Sequence, residues 1–181
     1  MNILWDRERG VELVSLDSVI AETLERVPMW SADGQKLAYL RETKTWRGPV
    51  EDIVIVDRNG RELASTDRLQ RTFPGVKQSQ IRNFTWSPDG KRIVFIYTDE
   101  ATYEVIRKFQ LAVWNVETDA IEVPCIPVSV SSLAWSPDSR YIAIAQHWRD
   151  IDGKYHTLLW DTEEGWVVNW FEDQLRVLYW R

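Results

Sequence analysis

The chain has 181 residues, 44% apolar and 28% charged, which excludes a disordered tail and allows one domain with a sizeable core. With 28 acidic against 22 basic residues the net charge is −6, which speaks against a nucleic-acid partner, since phosphate binding needs a basic stripe. One cysteine, Cys125, excludes an internal disulfide and points to a reducing compartment, and eleven tryptophans signal something repetitive.

Met1 leads almost at once into the strand-like Ile3-Leu4-Trp5, so no basic and apolar leader is expected there. No apolar run is long enough to span a membrane. A cytoplasmic location is the default expectation, with a cleaved leader or a longer precursor left open. Ile3–Gly10 aligns with Leu158–Gly165, and Val11–Leu16 with Trp166–Phe171. The chain therefore begins on the last two strands of a repeat. Ser18–Arg26 reads as a linking loop with room for a helical turn.

The repeat itself is carried by Trp30-Ser31-Ala32-Asp33-Gly34, Trp86-Ser87-Pro88-Asp89-Gly90 and Trp135-Ser136-Pro137-Asp138-Ser139. Proline presets the backbone dihedral, and Asp followed by Gly tolerates a left-handed conformation, so each copy predicts a tight turn between antiparallel neighbours. With Trp180, whose run-in Leu175–Tyr179 resembles Ile81–Thr85, the markers recur every ~45 to 56 residues.

Four strands are expected per repeat. The first ends in the marker tryptophan. The second is almost continuously apolar (Leu37–Leu40, Ile93–Tyr97, Tyr141–Ala145), which means burial on both faces. The third ends in Asp57, Asn115 or Asp161. The fourth is mixed (Glu62–Ser65, Ile121–Cys125, Trp166–Phe171), as suits an outer strand, and Pro124 fits an edge. Strand pattern and period predict an all-β propeller-type array of four-stranded antiparallel blades. The expected units are a partial blade over 2–17, blades over about 24–66, 80–126 and 129–172, and a last strand over 175–181.

The residues also resemble known families. Ala134–Asp138 followed by Leu159-Trp160-Asp161 is similar to a WD-repeat, as are Trp86–Gly90 and Trp114-Asn115. The Trp-Ser-Pro-Asp-Gly turn equally resembles TolB-type propellers and the propellers of prolyl-oligopeptidase-like enzymes. No Gly-His dipeptide precedes the first strands, so the polar network it anchors in WD-repeats is not implied. Either resemblance implies a binding platform, because a propeller by itself is not an enzyme.

Each candidate for chemistry has a structural competitor. No Gly-x-Ser-x-Gly elbow is present. His147 and His156 bracket Asp150-Ile151-Asp152-Gly153, but two imidazoles make a poor metal site and the carboxylates lack the spacing of a calcium loop, so a polar turn is expected. Cys125 sits in an alternating run and reads as a half-buried structural thiol. Asp33, Asp89, Asp138, Asp57 and Asp161 recur at equivalent places, which side-chain bonds to nearby backbone donors explain. Trp86, Trp135, Trp30 and Trp180 at one repeat position, and Trp5, Trp114 and Trp160 at another, read as packing between sheets. Trp166 and Trp170 are assigned to one side of an outer strand, free to cover a neighbour or a partner.

No catalytic residue, metal or cofactor is therefore expected. The rim formed by the connections between strands two and three is where the repeat is least regular. It carries Thr43–Gly48 with Trp46 and Arg47, Glu100–Lys108 with Tyr103 and Arg107, and Gln146–Asp150 with Trp148 and Arg149. Tryptophan, tyrosine and arginine are the side chains that most often carry interface energy. The expected function is a platform that binds a protein or peptide through these six residues. The alternatives are an accessory propeller of a larger serine peptidase and a carbohydrate-binding propeller. An open arc would forfeit much apolar burial, so a homodimer or membership of a longer propeller is also expected.

Overall fold

A computed structural model describes residues 3–6, 11–15, 27–45, 48–68, 80–98, 109–124, 130–146 and 156–171. It is all-β: three four-stranded antiparallel sheets, each taking its strands in chain order, and a two-stranded hairpin. The hairpin pairs β1 (Ile3–Asp6) with β2 (Val11–Ser15). The first complete sheet, or blade, holds β3 (Met29–Trp30), β4 (Lys36–Thr45), β5 (Gly48–Asp57) and β6 (Glu62–Ser65). The second holds β7 (Gln80–Trp86), β8 (Arg92–Thr98), β9 (Phe109–Asn115) and β10 (Ala120–Glu122). The third holds β11 (Val130–Trp135), β12 (Tyr141–Gln146), β13 (Thr157–Asp161) and β14 (Trp166–Phe171). The 18–26 linker and the 175–181 strand lie outside the described residues, as does Cys125.

The continuous apolar strands are buried on both faces, as their pattern requires. Side chains alternate across a strand, so neighbours in sequence serve different interfaces. Ala38, Leu40, Ile53 and Ile55 of blade 1 pack with Phe84, Trp86, Ile93, Phe95 and Trp114 of blade 2. The intervening Val94, Ile96, Leu111 and Val113 pack with Leu133, Trp135, Ile142, Leu158 and Trp160 of blade 3. Leu37, Tyr39, Val54 and Val56 form a third cluster on the other face of blade 1.

The tryptophans pack largely as expected. Trp114 and Trp160 are fully buried, and Trp86 and Trp135 nearly so. The Trp86 and Trp114 indoles donate to Met29 O at 3.0 Å and Asp119 Oδ1 at 3.1 Å. Those of Trp135 and Trp160 find no acceptor among the described residues. Such an unmade bond costs about 1–3 kcal/mol, against roughly 4–6 kcal/mol from burying the ring. Packing wins. Trp30 departs from the expectation: at 42% exposed, it is not covered like its two equivalents.

Three boundaries differ from the sequence reading. Thr43–Thr45 and Gly48 are strand, with Thr45 in register with Gly48, because ladder pairing of the backbone does not need the apolar pattern that marked the other strands. The irregular connection shrinks to Trp46 and Arg47. The fourth strand of blade 2 stops at Glu122, before Pro124. A bulge opposite Leu159 and Trp160 interrupts the last ladder, with Trp166 in register with Asp161 and Val167 with Trp160.

Candidate functional site

The blades have two rims with opposite characters. One is made of the repeated turns, and there the chemistry is spoken for. In each turn the fourth residue donates its N–H to the serine carbonyl at 2.8–2.9 Å, and it holds a positive φ of 64° at Gly34, 68° at Gly90 and 63° at Ser139. The serine hydroxyl donates to the aspartate: Ser31 to Asp33 at 2.6 Å, Ser87 to Asp89 and Ser136 to Asp138 at 2.5 Å. The same carboxylate oxygen accepts the N–H two residues on, from Gln35, Lys91 and Arg140. The serine hydroxyl pulls the Asp33 and Asp138 carboxyls below the usual carboxylate range, helped by those amides.

The third-strand ends repeat a second device. Asp57 Oδ1 accepts from the N–H groups of Asn59 and Arg61, Asn115 Oδ1 from Glu117 and Thr118, and Asp161 Oδ1 from Glu163 and Glu164. Asp161 also accepts from Arg140 Nη2 at 2.7 Å, which holds its carboxyl low. These side chains cap turns, as their recurrence implied.

Cations then lock one blade to the next along this rim. Lys36 Nζ donates to Gly90 O at 3.3 Å and lies 6.0 Å from the Trp86 ring centroid. Arg92, at the equivalent position, donates to Ser139 O and to Thr162 Oγ1 (2.8 Å) and sits 4.9 Å over the Trp135 ring. Ser139 returns a bond, its Oγ accepting from Asp89 N at 3.0 Å.

The opposite rim lies where β4 joins β5, β8 joins β9 and β12 leads to β13. There one register row is polar in the first two blades but different in each. Blade 1 sets Arg41 opposite Asp52. Blade 2 pairs Tyr97 with Gln110, the phenol donating to Gln110 Oε1 at 2.8 Å. In blade 3 the described ladder ends with Ala145 in register with Thr157, next to the buried His156. Beside it, Glu51 Oε2 accepts from Ile81 N of blade 2 at 2.7 Å, and Thr66 Oγ1 accepts from Ile53 N at 2.9 Å. Asp52 is 5% exposed; burial pushes its carboxyl up to about 6, with Arg41 pulling it down and Asp67 and Glu62 pushing it further up. Arg41 itself is paired with Glu62 at 2.8 Å.

Above this row, the β4–β5 hairpin projects past the residue equivalent to Thr98, the end of β8, by about 10 Å at ~3.3 Å per residue. A cleft of about 460 Å³ opens on the outer side, between β6 and the β9–β10 turn, lined by Glu62, Ser65, Asp67, Val116 and Asp119 among others.

All six residues expected to form the site, Trp46, Arg47, Tyr103, Arg107, Trp148 and Arg149, lie outside the described residues, as does His147. Among the described residues no group of three His, Cys, Asp or Glu side chains converges on a common point. The sequence reading missed the polar row beneath the rim. Its one visible signal was Glu51-Asp52 interrupting the apolar stretch between Val50 and Val56.

No protein-family model matches the chain, and no curated protein matches it. Solved structures do. The β-propeller domain of the Trilobed protease from Pyrococcus furiosus is 22% identical over 83% of this chain and 43% of that one, with a TM-score of 0.62. Acylaminoacyl peptidase from Pyrococcus horikoshii is 19% identical over 83% of this chain and 25% of that one, TM-score 0.58. A eukaryotic initiation factor is 12% identical over 85% and 34%, TM-score 0.53. The chain thus spans less than half the length of each. What it shares with them is the β-propeller fold.

Proposed function

We propose that the chain is a non-catalytic binding platform, which engages a protein or peptide through the rim where strands two and three of each blade meet. The observation that carries this reading is the polar register row. One position holds Arg41 opposite Asp52 in blade 1 and a phenol–amide pair in blade 2, whereas the opposite rim repeats itself bond for bond. Packing demands sameness; recognition of an asymmetric partner demands difference. Trp46, Arg47, Tyr103, Arg107, Trp148 and Arg149 are the proposed contact residues above that row.

The test is a panel of immobilised peptides probed with the wild type, Trp46→Ala, Trp148→Ala and a turn-rim control, Lys91→Ala. Each tryptophan substitution should weaken the bound peptides by about 1–2 kcal/mol or more with the fold intact, and the control should not. Peptide binding that neither tryptophan variant alters would end the proposal.

A second reading is favoured by one observation: two of the similar structures come from peptidases, and the chain spans 43% and 25% of them. In that reading the platform is an accessory propeller that admits substrates to a hydrolase domain. The two part on whether the native reading frame continues into such a domain.

A further inference from the structure

The outer strands of the three blades occupy equivalent places, and two of them are guarded. β6 has four residues and opens on Glu62; β10 has three, ends on Glu122 and is followed by Pro124. Shortness, charge and proline are the devices that keep a free sheet edge from pairing with another chain. β14 has none of them. Its six residues, Trp-Val-Val-Asn-Trp-Phe, include no charge and no proline, and among the described residues it pairs only with β13. Trp166 is 59% exposed, Val168 43% and Phe171 40%, half of the six exposed large hydrophobics among the described residues. The bulge accounts for this: Val167 packs into the cluster between blades 2 and 3, and Val168 is left outside.

We propose that this edge receives an extended apolar segment of a partner protein, added antiparallel as a fifth strand, with Lys or Arg at its C-terminal end. Backbone pairing supplies the affinity and the exposed Trp166, Val168 and Phe171 select the side chains. Charge selects the occupant. The turn before β14 carries Glu163, which lies 3.6 Å from Arg140, and the exposed Glu164, which has no ion pair among the described residues. An antiparallel strand brings its C-terminal end beside that turn, where a cation balances Glu164. A second copy of this chain is the poorer match, because Glu172-Asp173 follow β14 in the sequence and self-pairing sets acid against acid.

The experiment titrates the purified chain with two labelled, acetylated peptides of alternating valine and threonine, one ending in two lysines and the other in two glutamates. Fluorescence anisotropy gives affinity and amide hydrogen exchange gives the place. The lysine peptide should bind at least tenfold more tightly and protect the amides of 166–171. Val168→Lys and Trp166→Lys should each weaken it at least tenfold with an unchanged unfolding midpoint, and Glu164→Lys should reverse the preference. If Trp166→Lys fails to fold, Val168→Lys decides. Equal binding of the two peptides, or protection elsewhere, overturns the proposal. So does a concentration-dependent dimer dispersed by Val168→Lys, which would give the edge to a second copy.

Discussion

Burial and hydrogen bonding push the carboxylates of this fold in opposite directions, and the pH dependence of stability follows from both. The Asp52 carboxyl is raised to about 6. A raised folded value means that the folded state holds its proton more tightly, so the contribution is full below the unfolded value near 4 and is lost as pH rises through 6. Asp33, Asp57, Asp138 and Asp161 are lowered, so their contribution is present above the unfolded value and lost as pH falls through the folded ones. Stability should therefore rise as pH falls from 7 towards 5, by at most about 1–1.5 kcal/mol, and fall again below about 4. In Asp52→Asn the rise between pH 7 and 5 should vanish while the fall in acid remains; thermal melts across that range check both. An unaltered rise would show that some other group drives it. This residue was poorly legible. Glu51 and Asp52 stand out as acids in an apolar run, but neither the second carboxylates at Glu62 and Asp67 nor the depth of burial can be read from spacing, since they arrive from a different strand.

At the scale of the element, the turn is where sequence and structure agree most closely. The serine, aspartate and left-handed fourth residue each perform a local bond, and local bonds are what a five-residue motif encodes. Ser139 tests the balance. Its φ of 63° costs roughly 1 kcal/mol for a residue with a side chain, yet its hydroxyl accepts from Asp89 N of the neighbouring blade. Ser139→Gly should relieve the strain and forfeit the bond, leaving stability within about 0.5 kcal/mol of wild type. Ser139→Ala keeps the strain and orphans the amide, and should cost about 1–2 kcal/mol. Chemical denaturation midpoints check the pair; equal losses would refute the trade. The elements that were misread depend on non-local pairing. The β4–β5 ladder continues through Thr43–Thr45 although no apolar rhythm marks it, and the β14 bulge shifts the register without a signature of its own.

At the scale of the molecule, the blades are held by shared apolar faces and by one cation per junction, and the two cations are unequal. Arg92 makes two hydrogen bonds to blade 3 and stacks over Trp135, whereas Lys36 makes one long bond and a more distant ring contact with Trp86. Arg92→Ala should destabilise the chain by about 2–3 kcal/mol and Lys36→Ala by about 0.5–1, with Arg92→Lys in between. Urea unfolding of the three variants checks the order; equal losses would mean that the cations only cover the rings. The propeller-type array was legible because a repeat announces its own period. The proposed site was legible only as irregularity: the loops are assigned to one rim by the repeat, but the polar row uses a different residue pair in blades 1 and 2 and so leaves no pattern to find.

The cation belt also divides the molecule by how freely it can change. A substitution in the turns of blades 2 and 3 disturbs two blades at once, because the Gly90 and Ser139 carbonyls anchor the cation of the preceding blade. The ladder of Thr43–Thr45 in the β4–β5 hairpin carries no such anchor among the described residues. Replacements there can accumulate without loosening a junction, so the two ends of the same sheet differ in how much change they tolerate.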